Sequence, residues 1–128
     1  MIFYRIENNK NEGPYINGNY ENLIDFFRNN DEFDIDQYVL TRPTPYLENF
    51  EKYCDCKNKY KFIFGFSSKD KLIKWFSYSN ENEYFEKYNF KVSYYESTEV
   101  FESQYQSISQ RKNLTLIKRI DFKDFIDS

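Results

Sequence analysis

The stretch from Tyr60 to Phe76, YKFIFGFSSKDKLIKWF, constrains the fold more tightly than any other part of this chain. Tyr60, Phe62, Phe64 and Phe66 recur at every second position with Ile63 between them, the pattern of a buried central strand. Gly65 interrupts that row near its end, where another backbone or a ligand can approach closely. Ser67 and Ser68 then offer helix N-caps, and Asp70 stands three residues after Ser67 in capping-box spacing. Leu72, Ile73, Trp75 and Phe76 give the following helix an apolar face. Strand, serine turn and helix in immediate succession predict the core of a small α+β domain.

What fills that core follows from the residue types available. The chain has 128 residues, no alanine, no histidine and few valines, but 14 Phe and 13 Tyr. The interior is therefore built from Phe, Tyr, Ile and Leu, and some tyrosines are left for the surface, where Tyr favours interfaces. This length fits one domain, 1–128. No apolar run approaches the roughly 18 residues of a membrane span. The opening MIFYRIENNK lacks a signal peptide's order, so the expectation is a soluble, cytoplasmic protein with no membrane partner.

Absence of histidine excludes Ser-His-Asp and Cys-His nucleophiles and any histidine-bearing zinc site. Cys54 and Cys56 form a lone C-x-C pair, too few thiolates for a structural zinc site and too close for an unstrained disulfide. They read as reduced thiols, and no metal site is expected. Charge is uneven: residues 1–56 carry 5 basic and 11 acidic side chains, residues 57–128 carry 13 and 10. Lys57, Lys59, Lys61, Lys69, Lys71 and Lys74 cluster around the central strand and helix. They form a solvated face or a contact for phosphate or RNA.

In chain order, Ile2 to Glu7 reads as an opening strand, with Phe3 and Arg5 on one face and Ile2, Tyr4 and Ile6 on the other. Arg5 is expected on the solvent side or reaching into a cleft at the sheet edge. Gly13-Pro14 and Asn17-Gly18 mark a loop. A helix follows from Asn19 to about Asn30, carrying Tyr20, Leu23, Ile24 and Phe27. Residues 32–40 suggest a short edge strand, and Thr41 to Pro45 an extended run before a short helix bearing Leu47, Phe50 and Cys54. After Phe76 a second short helix stops at Asn89 in a left-handed conformation, just before Phe90. Phe90 to Glu96 reads as a strand, Val100 to Ile108 as a polar strand, and Leu114 to Ile120 as one more. Asp121, Phe122, Phe125 and Ile126 predict a last helical turn packed on the sheet. The expected architecture is α+β, a mostly antiparallel twisted sheet with two or three helices packed on one face. Trp75 and Phe76 are expected to share its core with Phe62 and Phe64.

Several short motifs then stand together: Tyr4-Arg5, Gly13-Pro14-Tyr15, Arg42-Pro43-Thr44-Pro45, Gly65-Phe66-Ser67-Ser68, Leu72, Trp75-Phe76, Asn89-Phe90 and Gln104 or Gln106. This layout resembles a class of small proteins encoded by phages and mobile elements. The class includes anti-CRISPR and other counter-defence proteins, and that is the function the resemblance implies. The layout also resembles a minimal ADP-ribosyltransferase. That likeness implies Arg5 as the clamp for NAD, Ser67 as the serine-motif residue, and Glu102, Gln104 or Gln106 at the late-strand catalytic position. Arginine suits bidentate phosphate recognition, and a carboxylate can stabilise an oxocarbenium-like sugar. Glu102-Ser103-Gln104 reverses the family's order of these residues.

Three functions follow. The first is a non-enzymatic, cofactor-free inhibitor that binds a host protein or nucleoprotein such as a CRISPR effector. Its anchors would be Tyr15, Tyr20, Arg42 and Tyr46 in the loops at 13–20 and 41–46, with Lys57 and Lys59 beside them. The second is the transferase, using NAD. The third is an RNA-binding module in which Tyr60, Phe62 and Phe64 stack bases among lysines 57–74, although these aromatics are more simply core residues.

Overall fold

A computed structural model describes residues 1–13, 62–76, 81–103 and 105–128. The helix after Asn19, the strand at 32–40, the proline run, the helix bearing Leu47, and the Cys54/Cys56 pair all lie outside these residues. So do Tyr15, Tyr20, Arg42, Tyr46, Lys57, Lys59, Tyr60, Lys61 and Gln104.

The described elements, labelled in chain order, are β1 (Ile2–Glu7), β2 (Phe62–Gly65), α1 (Lys69–Trp75), α2 (Glu81–Lys87), β3 (Lys91–Ser97), β4 (Phe101–Glu102), β5 (Ser107–Gln110), β6 (Leu114–Ile120) and α3 (Phe122–Asp127). The class is α+β, as expected. The strands form two antiparallel three-stranded sheets, β1-β3-β6 and β2-β5-β4. They meet where Tyr4 and Phe66 exchange backbone hydrogen bonds of 2.7 and 2.8 Å.

Local chemistry accounts for the element ends. Ser68, in extended backbone, caps α1 by accepting from the Lys71 amide at 3.4 Å, satisfying one orphan N–H. Asn89 takes φ 60° after α2. The Phe90 amide then donates back to Phe85 O at 2.8 Å and the Asn89 amide to Glu86 O at 3.5 Å. This is the Schellman closure, completed by the Phe85–Phe90 ring contact.

All three described helices pack on one face of β1-β3-β6. Leu72, Trp75, Tyr84, Phe85, Phe122 and Phe125 bury against Ile6 and Val92, with Tyr4, Tyr94 and Ile120 at the margin. Ile126, expected to pack there, is exposed. The opposite face carries Phe3 and Tyr95, which cluster with Ile63 of β2. Phe62 does not join Trp75 and Phe76. It sits with Ile108, Phe64 and Phe101 in a third cluster, because alternation along β2 sends Phe62 and Phe64 away from Ile63 and from the helical layer. The polar run expected as one strand from Val100 to Ile108 is instead a hairpin. Ser103 turns the chain by donating its amide and hydroxyl to Gln106 O, both at 3.0 Å, and β4 and β5 pair across that turn.

Gly65 supplies the close approach its place in β2 predicts. A Cβ there would stand 2.5 Å from Tyr4 O and 2.5 Å from Phe3 Cζ. One of those atoms is backbone, so neither sheet can yield cheaply. Gly65→Ala is expected to cost about 1–3 kcal/mol in urea denaturation. An unchanged midpoint would show that β1 and β2 do not pack this closely.

Candidate functional site

On β1, the side chains at alternate positions separate cleanly. Tyr4 and Ile6 face the helices, while Phe3, Arg5 and Glu7 face the other way. Arg5 is only 5% exposed, which corrects the expectation of a solvent-side arginine. Its Nε donates to Glu7 Oε2 at 3.0 Å and its Nη1 to Phe64 O at 2.7 Å. Nη2 is buried with no hydrogen-bond partner among the described residues. The backbone of Gly13 lies over it, so that a Cβ at Gly13 would come within 2.9 Å. Burial pulls the Arg5 guanidinium below its ordinary pKa and Glu7 opposes the shift, but an arginine stays charged throughout.

Glu7 is fully buried and is the hub of this cluster. Besides Arg5 it accepts from Arg119 Nη2 at 2.8 Å and from the Tyr95 hydroxyl. Arg119 in turn donates Nε to Ser93 Oγ at 2.8 Å and Nη2 to the Asn11 side chain. Burial pushes the Glu7 carboxyl up, yet hydrogen bonds from Tyr95, Arg119 and Ser93 together with the charge of Arg5 outweigh it and hold the group below the ordinary carboxylate value. The Tyr95 hydroxyl moves up, through burial and then through Glu7. One carboxylate thus ties β1, β3 and β6 together beneath two guanidinium groups. Only Arg5 of this set was singled out from the sequence. The signal for Glu7 was its place two residues on, on the same face of the same strand.

The other residues implied by the transferase likeness fall partly together. Ser67, between β2 and α1, donates its hydroxyl to Glu102 Oε1, and the Ser107 hydroxyl donates to the same oxygen at 3.3 Å. Lys71 reaches Ser103 O at 3.4 Å. Gln106 is buried just before β5. Ser67 and Glu102 therefore form an exposed hydroxyl–carboxylate pair. Arg5 turns to Glu7 and to the carbonyl of Phe64, with two of its three nitrogens committed inside the protein. Of the lysines expected to meet phosphate, Lys69 binds Ser128 through its carbonyl and its hydroxyl.

Among the described residues the most exposed apolar surface in a strand lies on β6, which the sequence pattern does not mark as a site. Leu116 is 45% and Ile117 53% exposed, and β6 stands at the end of the order β1-β3-β6. The register slips there: Tyr94 pairs with Lys118 and Tyr95 with Leu116, leaving Ile117 as the extra residue of a bulge. Residues 111–120, RKNLTLIKRI, contain four basic side chains and no acidic one. Arg119 is neutralised by Glu7 and Arg111 donates to Asn11 O at 2.7 Å. Lys118 lies over the Tyr94 ring at 4.6 Å. Leu116 and Ile117 thus form an exposed apolar pair between the exposed cations Lys112 and Lys118 at the end of the β1-β3-β6 order.

Among the described residues no helix is long and apolar enough to cross a membrane. No curated protein and no solved structure matches the chain. A family model described as Bacteriophage T4 Y00F protein matches residues 1–123. That match covers nearly the whole chain and bears out the phage-encoded class that the short motifs resemble: the chain belongs to the bacteriophage T4 Y00F protein family.

Proposed function

We propose that this phage protein acts by binding a host protein or nucleoprotein and blocking it, as a counter-defence inhibitor of the anti-CRISPR kind, without chemistry of its own. The observation that supports this reading is the β6 edge, where Leu116 and Ile117 stand exposed on a strand with no acidic side chain. Exposed apolar residues rimmed by charge mark interaction surfaces. The internal commitment of Arg5 to Glu7 and Phe64 O favours binding over transfer. The tyrosine and arginine anchors expected in the loops lie outside the described residues, so the reading rests on β6.

The test compares tagged wild type with a Leu116→Lys, Ile117→Lys double variant, each expressed in the host and recovered with what it holds. Both positions are half-exposed, so the variant is expected to melt like wild type. Wild type should retain a host partner of unmodified mass, and the variant should lose it by about tenfold or more, the loss of roughly 1.4 kcal/mol. An ADP-ribose mass added to the partner, or NAD affinity in calorimetry that vanishes in Arg5→Ala, would overturn the reading in favour of the transferase.

A further inference from the structure

We propose that the outer edge of β6 takes up an extended acidic segment of a partner protein as an added strand. This rests on the binding reading above and specifies how the partner engages. Because β6 closes its sheet, one row of its backbone N–H and C=O groups faces no strand among the described residues. Such a row is a template for strand addition, in which main-chain hydrogen bonds give affinity and alternate side chains give specificity.

Charge selects the occupant. The segment from Arg111 to Ile120 carries four basic side chains and no acidic one, and neither Lys112 nor Lys118 forms an ion pair among the described residues. A second copy of β6 laid on this edge would add its own Lys118 to the same seam, and like charges across paired strands destabilise. Acidic side chains on the incoming strand meet Lys112 and Lys118 instead. The apolar pair narrows the choice further. A nucleic-acid backbone would answer the lysines but would leave Leu116 and Ile117 against phosphate and water. A strand with apolar residues between its acids covers both. The bulge at Ile117 interrupts regular pairing, so the edge accepts a short segment and resists indiscriminate sheet growth.

The test uses a short, acetylated and amidated fluorescent peptide alternating glutamate and valine, with a lysine–valine counterpart as control, titrated against the full chain. The glutamate peptide should bind and the lysine peptide should not. Lys118→Glu, checked for wild-type melting, should weaken the glutamate peptide about tenfold and turn preference toward the lysine peptide. Amide hydrogen exchange should slow along β6 in the complex and not along β4. Equal binding of the two peptides, protection confined to other elements, displacement by a single-stranded oligonucleotide, or dimerisation of the free chain through β6 would each overturn the proposal. If the glutamate peptide fails to bind while the Leu116→Lys, Ile117→Lys variant still loses its host partner, strand addition falls and the binding reading stands.

Discussion

Replacing Glu7 with glutamine should cost about 3–5 kcal/mol of stability at neutral pH, the range for breaking a buried ion pair by removing one partner. Glu7 has no exposed surface, and Arg5 is nearly as deep. The amide of glutamine keeps the shape, but its one NH2 must face either Arg5 Nε or Arg119 Nη2, each of which meets a different carboxylate oxygen, and it removes the negative charge that both guanidinium groups face. Arg5 has no second carboxylate among its hydrogen-bond partners, so its charge is left in the interior uncompensated. The pH dependence carries a definite sign. The folded-state pKa of Glu7 lies below its unfolded value, so the unfolded chain takes up the proton first. The stabilisation is complete above the unfolded value, about 4.3, and drains away as pH falls through the lowered folded value. Wild type should lose stability on acidification more steeply than Glu7→Gln, and the gap between them should narrow below that window. Urea denaturation of both proteins at pH 7 and across the acid range measures this. A gap below about 1 kcal/mol at pH 7, the scale of an exposed pair, would show that the cluster does not hold the strands together.

The same cluster shows how far local pattern reaches. Alternation in β1 assigned Arg5 to the correct face, but it could not say that this face is covered. Coverage comes from the second sheet, which approaches through Gly65, and from Gly13, which lies over the guanidinium. With water excluded, Glu7 becomes the necessary partner. Signals that act within a few residues were the most legible: a serine cap at 67–68, placed by the structure on Ser68 rather than on Ser67 of the Ser67–Asp70 spacing, the left-handed Asn89 and the limits of β6 all depend on neighbours in sequence. The hairpin at Ser103 was not, because VFESQYQSI alternates well enough for one strand and the turn is made by a single serine bonding across to Gln106. Exposure of Leu116 and Ile117 is a property of strand order, set by β6 lying outermost among the described strands. The chain carries one hint of it, since Leu114, Thr115 and Leu116 alternate until Ile117 breaks the period where the bulge falls. Of the residues taken from the transferase likeness, Ser67 and Glu102 share a hydrogen bond, across a distance in sequence that no spacing rule connects.

Separation of the aromatic core into distinct clusters leads to the other large expected effect. Trp75→Ala should cost about 3–5 kcal/mol, as truncation of a buried tryptophan does, a large share of the 5–15 kcal/mol that holds such a domain. Trp75 is 7% exposed and is one of two residues by which α1 buries itself, with Leu72. Its ring stands edge-on to Phe66 at 5.6 Å. Phe66 is also the residue whose backbone joins β1. The cavity would therefore open where helix and sheet junction meet, and the neighbouring backbone is hydrogen-bonded and cannot collapse into it. Coupling then separates the cluster assignment from a general core effect. Trp75 and Phe66 share a cluster, so the Trp75→Ala, Phe66→Leu double mutant should deviate from additivity by more than about 0.5 kcal/mol. Phe62 belongs with Ile108 in another cluster, so Trp75→Ala and Phe62→Leu should add within that margin. Two double-mutant cycles in urea, with m-values checked for constancy, measure both couplings. Strong coupling between Trp75 and Phe62 would mean that the two aromatics fill one core after all. A loss below about 1 kcal/mol for Trp75→Ala alone would mean that α1 is not docked through this face.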